Sequence, residues 1–163
     1  MERMLKKLKK FMIVAAAAVM LSAGFATVAP KEASAHWADN QMNWAMRKGI
    51  ITSYNPDNLA TRQDMWLMMT RDILGWSGDF GYDYARYTLM GLHITDGTRG
   101  SDWVTRSEAA AMILAKKGIQ LWSPEAGFYY SDQRARQLGI FDGTRGSNFA
   151  TRAEVVSMIY NAS

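Results

Sequence analysis

The chain has 163 residues, no cysteine and a formal net charge of +4. This length predicts one domain that can bury a core, and the lack of cysteine excludes a disulfide-stapled scaffold. Residues 1–35 hold six of the 19 Lys/Arg and two of the 15 Asp/Glu, so residues 36–163 hold 13 of each and are neutral. The basic pI therefore gives no argument for a nucleic-acid partner.

The N-terminus has the three parts of a secretory signal peptide. Five Lys/Arg lie within residues 3–10, an apolar run covers residues 11–28, and Ala33-Ser34-Ala35 gives a small-x-small cleavage pattern. The alternative is a retained membrane anchor, which usually needs about 20 apolar residues. The apolar run is interrupted by Ser22 and Gly24, so we expect cleavage after Ala35 and export of residues 36–163.

The remaining chain repeats one pattern three times, around a Thr-Arg pair. Thr61, Thr105 and Thr151 each precede an arginine, at spacings of 44 and 46 residues. A single unit of this size cannot bury its apolar face alone, whereas three stacked units can. We place the repeats at about 36–76, 80–119 and 126–162.

Each repeat is predicted to be helix, loop and helix. The second helix starts at the repeated Thr, because an acidic residue three positions later completes a capping box. Apolar residues at i, i+3 and i+4 after the cap, such as Met65, Met68 and Met69, predict a buried stripe rather than a cofactor site. The first helix is predicted to begin at an N-cap aspartate and to be about one turn shorter in the third repeat. These aspartates are Asp39, Asp83 and Asp132.

Several of these motifs together resemble the S-layer homology family. They are Trp37-Ala38-Asp39, Trp44-Ala45, Gly49-Ile50 and Phe149-Ala150-Thr151-Arg152-Ala153-Glu154. The resemblance covers residues 37–160, and the Thr-Arg-Ala-Glu hallmark is complete only in the third repeat. It implies an all-α, pseudo-threefold helical bundle with prongs, whose grooves bind a secondary cell-wall polysaccharide that often carries pyruvate ketals. It also implies a non-enzymatic protein at a Gram-positive type of cell surface.

The arginine after each cap is unusual for its position. A cation in the first turn of a helix is disfavoured by about 0.3–1 kcal/mol. Arg62, Arg106 and Arg152 therefore suggest an anion receptor, in which guanidinium and helix N-terminal amides hold a carboxylate or phosphate. The alternative is that each arginine pairs with an acidic residue of a neighbouring repeat, for example Asp39 or Asp83.

The loops offer two further arginines. Arg99 and Arg145 lie in the matching segments 96–101 and 142–147, between glycines that let a ligand approach the backbone. The alternative is simple exposure in a turn. The first repeat reads Thr-Ser-Tyr-Asn-Pro-Asp over residues 52–57 and has no such arginine, so we expect at least one weak groove.

Aromatic residues near the loops are candidates for stacking on sugar rings. Trp37 and Trp103 suit either stacking or anchoring, while Phe149 favours a core anchor. The complete candidate ligand-binding set is Arg62, Arg106, Arg152, Arg99, Arg145, Trp37, Asp39, Trp103, Thr105 and Thr151.

Metal and catalytic chemistry have weak candidates. The loop over residues 96–102 lacks the alternating oxygen ligands of a calcium loop, and nothing in the pattern brings His36 near His93. No set of residues suggests hydrolysis. We therefore expect no cofactor, no catalysis, no nucleic-acid partner and no transmembrane segment after signal cleavage. The predicted function is anchoring to cell-wall polysaccharide; the alternative is a structural or adaptor surface protein that uses its repeats for protein–protein assembly.

Overall fold

A computed structural model describes residues 35–75 and 78–163, and residues 36–163 form one compact unit. The described residues contain six α-helices and no β-strand beyond isolated bridges, which confirms the all-α prediction. The predicted signal peptide lies outside the described residues, apart from Ala35. The helices are α1 (Asp39–Arg47), α2 (Arg62–Leu74), α3 (Tyr82–Gly91), α4 (Arg106–Lys116), α5 (Tyr129–Gln137) and α6 (Arg152–Asn161).

The second helix of each repeat begins as the sequence predicts. Thr61, Thr105 and Thr151 are the N-caps of α2, α4 and α6, and each forms a complete capping box with the acidic residue three positions later. Each box satisfies two amides at the helix start. The side chains of these threonines and of their acidic partners therefore stabilise the helix starts.

The N-caps predicted for the first helices are wrong. The N-caps of α1, α3 and α5 are Ala38, Gly81 and Phe128, and none of them caps through a side chain. Asp39, Asp83 and Asp132 lie inside the first turns, where an acidic side chain interacts favourably with the helix dipole. Helix α5 consequently has nine residues, as many as α1, and is not shortened.

The helices pack in a circular order. Helix α3 packs on α2, α5 packs on α4, and α1 packs on α6, so the first helix of every repeat lies against the second helix of another. The predicted apolar stripes supply the interior, and Met65, Met69, Ile113 and Val155 are among its fully buried side chains. The Met positions are core residues, as predicted.

Three backbone hydrogen bonds form a closed ring just before the second helices. Ala60 N–H donates to the Ala150 carbonyl (3.0 Å), Ala150 N–H to the Val104 carbonyl (2.9 Å), and Val104 N–H to the Ala60 carbonyl (3.0 Å). Isolated antiparallel bridges flank the ring and include Thr61 with Trp103. The ring brings the starts of α2, α4 and α6 together and so positions the three Thr-Arg pairs.

No helix among the described residues is long and apolar enough to cross a bilayer.

Candidate functional site

The amides at the three helix starts are not available to a ligand. At each start, the backbone N–H of the arginine and that of the next residue donate to carbonyls in the loop of another repeat, at 2.8–3.0 Å. The third amide donates to the capping threonine. The predicted use of these amides in anion binding is therefore wrong, and only the guanidinium groups remain. The donor–acceptor pairs are Arg62 with Asp102, Gln63 with Gly100, Arg106 with Asn148, Ser107 with Gly146, Arg152 with Asn58 and Ala153 with Pro56.

Arg62 is buried and already neutralised. Its Nε donates to the Thr98 carbonyl (3.0 Å) and its Nη2 to Asp96 (3.1 Å). Its Nη1 lies 3.3 Å from Glu108. Burial alone would raise the pKa of Glu108, but hydrogen bonds from Arg99 and the Thr105 amide, with the charge of Arg62, lower it. The ion-pair alternative therefore applies to Arg62, with different partners from the Asp39 and Asp83 suggested by sequence.

Arg106 of the second repeat has the same arrangement of partners, supplied by the third repeat. Its Nε donates to the Thr144 carbonyl (3.2 Å), its Nη2 donates to Asp142 (2.9 Å), and its Nη1 donates to Glu154. The guanidinium carbon also lies 5.0 Å from the centre of the Phe141 ring, a cation–π contact. Only 7% of the side chain is exposed, so Arg106 too is held by internal carboxylates.

Arg152 differs from the other two. Its Nη2 donates to the carbonyl (2.8 Å) and the hydroxyl (3.3 Å) of Ser53, and no ion pair joins it to a carboxylate of residues 35–75 or 78–163. Its Nε is buried and has no hydrogen-bond partner there. Burial lowers the pKa of this guanidinium, and Arg71 adds to that effect while Asp64 opposes it. Arg152 is thus a half-buried cation without a matching anion.

The residues around Arg152 were not predicted from sequence. Arg71 lies in the last turn of α2, where its Nη1 donates to the Ile50 carbonyl (3.4 Å) and its Nε is buried without a described partner. The negative charge of Asp64 raises the pKa of Arg152, but both oxygens of Asp64 accept hydrogen bonds from other groups. Its Oδ1 accepts from the Tyr82 hydroxyl (2.9 Å) and its Oδ2 from the Thr61 amide (3.0 Å). Two arginines therefore share one region, and its carboxylate is occupied.

The two loop arginines have different environments. Both adopt a positive φ, 55° at Arg99 and 51° at Arg145. Arg99 Nη2 donates to Glu108 (2.7 Å), and this hydrogen bond raises the pKa of Arg99. Arg145 is exposed, and no side-chain hydrogen bond or ion pair of the described part of the chain includes it. No hydrogen bond or ion pair joins Arg145 to Glu154 in the described part of the chain, so the pairing of Arg99 with Glu108 is not repeated there.

The remaining predicted residues fall into three groups. Trp37 and Trp103 are 63% and 45% exposed, and Phe149 is half exposed rather than a core anchor. Asp39 accepts from the Tyr54 hydroxyl, which raises the pKa of Tyr54. Thr105 and Thr151 serve as helix caps.

A cavity of about 670 Å³ lies beside Arg62. Its lining includes apolar residues of α4 and of the segment before α5, together with the paired charges of Asp96, Arg99 and Glu108. A smaller cavity of about 370 Å³ shares Arg99 and Glu108 and reaches Trp103 and Phe149. The mixed lining is typical of small-molecule pockets, but its charges are already balanced internally.

Within the described ranges, no cluster of three or more His, Asp or Glu side chains could hold a metal ion. Comparison with known proteins gives no further guide, because no protein-family model and no curated protein matches the chain.

Proposed function

We propose that the protein is a non-catalytic binding module that attaches to an anionic polysaccharide of the cell wall. The anion-binding group is the guanidinium of Arg152, assisted by Arg71. The proposal includes a secretory signal over residues 1–35 and the S-layer homology type of architecture, in which three helix-loop-helix repeats form a pseudo-threefold bundle with prongs.

The circular contacts support the threefold part of this proposal. The same backbone hydrogen bond recurs between Ala60, Val104 and Ala150, and each first helix packs on a second helix of another repeat. Three grooves follow from such an arrangement, one beside each Thr-Arg pair. They are not chemically equal, because Arg62 and Arg106 are already paired with carboxylates.

The state of Arg152 is the observation on which the proposal depends. A half-buried guanidinium without an ion pair has lost part of its hydration, and an external carboxylate or phosphate would supply the missing charge. The planar fork of arginine suits a carboxylate particularly well. The carboxylate of an acidic sugar has the charge and geometry required.

Co-sedimentation with cell-wall sacculi tests this function. We expect the protein to pellet with Gram-positive sacculi and to remain soluble when the phosphodiester-linked secondary polymers have been stripped from them. Arg152→Gln should reduce pelleting, whereas Arg134→Gln should not. Arg134 is the matched control because it is exposed on α5 and, among the described residues, its side chain hydrogen-bonds only to Gln137. Equal pelleting with stripped and unstripped walls would contradict the proposal.

Exposed aromatic residues favour the alternative function, assembly with another surface protein. Tyr84 and Tyr87 on α3 are more than half exposed, as are Trp122 and Tyr129 near the start of α5. Large exposed aromatic side chains are enriched at protein interfaces. Under this alternative, the protein would self-associate or capture a surface protein, and stripping the wall polymers would not change its behaviour.

A further inference from the structure

The residues that face the three arginines differ between the repeats at three positions, two in the loop and one in the capping box. An isoleucine stands 11 residues before the capping threonine in every repeat, so the three loops align residue by residue. These isoleucines are Ile50, Ile94 and Ile140. Each neutralised arginine pairs with a loop aspartate and a capping glutamate of the repeat that follows it around the circle, namely Asp96 and Glu108 or Asp142 and Glu154. The aligned residues facing Arg152 are Thr52 and Asp64. Thr52 has no charge, and Asp64 is one methylene shorter than glutamate.

Loop conformation explains the orphaned Nε of Arg152. The loop aspartate is followed by a glycine with positive φ, 72° at Gly97 and 75° at Gly143. One residue later, the carbonyls of Thr98 and Thr144 accept from the Nε of Arg62 and Arg106. The residue of the first loop that aligns with these two glycines is Ser53, and it does not adopt the positive φ that glycine adopts readily. Its own carbonyl binds Nη2 of Arg152 instead, so Nε is left without an acceptor.

Asp64, the acidic residue of the first capping box, forms no ion pair with Arg152 because both of its oxygens have other partners. Asp64 uses one oxygen in the capping box and the other to accept from Tyr82. A glutamate at this position would preserve the box, because Glu108 and Glu154 complete the same box in the other repeats. Its longer side chain would also reach further toward Arg152, as Glu154 reaches Arg106.

We propose that Thr52, Ser53 and Asp64 determine which groove is open to an anion, and that internal carboxylates act as built-in ligands that close the other two. The inference rests on the proposed function in taking Arg152 as the anion receptor. It adds that each protein molecule has one anion site of this kind, and that three side chains are sufficient to close it.

The test is a graft of the second repeat's residues onto the first. The variant T52D/S53G/D64E gives Arg152 the partners that Arg62 has. The readout is the NMR signal of each arginine Nε–Hε group of the full chain during titration with sodium glucuronate, with glucose as the uncharged control. In the unaltered protein, we expect Arg152 to respond to glucuronate and not to glucose, while Arg62 and Arg106 stay silent.

In the grafted variant, the response of Arg152 should weaken by at least about tenfold, because the external anion must displace a tethered carboxylate. The melting temperature should not fall, since the graft adds an ion pair. Asp64→Glu alone, which keeps the capping box, is the second variant if the graft does not fold, and it should weaken the response in the same direction. The variant D96T/E108D should have the reverse effect and make Arg62 responsive.

Three results would overturn the inference: a silent Arg152 in the unaltered protein, an equal response of Arg62 or Arg106, or an undiminished response in the grafted variant. The wall assay separates this inference from the proposed function. If glucuronate behaves as expected but the protein does not pellet with walls, the inference holds and the function is wrong. If the protein and its graft pellet equally with unstripped walls, the function holds and the inference is wrong.

Discussion

Replacing Arg106 with methionine should destabilise the protein far more than the same change at Arg152. Methionine keeps much of the apolar stem, so the substitution isolates the loss of the guanidinium. At Arg106 it leaves the Thr144 carbonyl and one oxygen of Glu154 without the arginine donor, while the other Glu154 oxygen keeps its bond from the Thr151 amide. At Arg152 it removes the hydrogen bonds to Ser53 and a half-buried charge that has no ion pair within the described residues.

The structure sets the expected size of this difference. Removing one partner of a buried ion pair costs about 3–5 kcal/mol. Asp142 is 55% exposed, so its share is that of a surface pair, about 0–1 kcal/mol. We therefore expect a loss of about 3 kcal/mol for Arg106→Met, close to the lower end of that range. For a domain of this size the melting temperature should fall by roughly 10–15 °C.

Urea and thermal denaturation followed by far-ultraviolet circular dichroism measure this loss. Arg152→Met should stay within about 1 kcal/mol of the unaltered protein, the range of most substitutions without a buried partner. Arg134→Met on the surface of α5 controls for the general loss of a positive charge. Equal destabilisation by the Arg106 and Arg152 variants would refute the distinction between a closed and an open groove.

Two further predictions concern pH. Burial alone would raise the pKa values of Asp96, Glu108 and Asp142, but bonds to Thr98, Arg99 or Thr144 and nearby arginines outweigh it, so folding lowers these pKa values. The stabilisation that these groups provide is complete above the unfolded values of 3.8 and 4.5 and is lost as pH falls through the lower folded values, so urea midpoints should drop in acid. Burial raises the pKa of Asp132 above 3.8, against the opposing hydrogen bond from Ser107, and its Oδ1 has no described partner. Asp132→Asn should therefore raise the urea midpoint at pH 7 and lose this advantage in acid, and the same gain at both pH values would contradict it.

The helices and their caps could be predicted because they depend on residues close in sequence. A capping box needs only a threonine and an acidic residue three positions later, and all three boxes form where the pattern places them. The apolar stripe containing Met65 and Met69 is local in the same sense. The starts of the first helices were predicted wrongly because no side chain caps these helices. Asp39 and Asp132 resemble N-caps in the sequence but lie inside the first turns.

The partners of the arginines could not be read from the sequence in the same way. Arg106 pairs with Glu154, 48 residues away, and this contact exists only after the repeats have packed in a circle. The sequence did distinguish the first repeat from the other two. The acidic residue of its capping box is Asp64 where the others have glutamate, and Thr52 stands where the other loops have aspartate. Arg71 gave no signal, because it lies at a single position outside the repeated motifs.

The ring of Ala60, Val104 and Ala150 has a consequence for how the domain can change in size. An open array of repeats has two ends and lengthens by insertion of another unit. In the ring, the amide of each of the three residues donates to the carbonyl of another of them, so no donor or acceptor of this set is left free at an end. A fourth unit would have to break an existing bond to enter, and loss of one unit would strand a donor and an acceptor. Substitution of a side chain such as Thr52 leaves all three of these backbone hydrogen bonds in place.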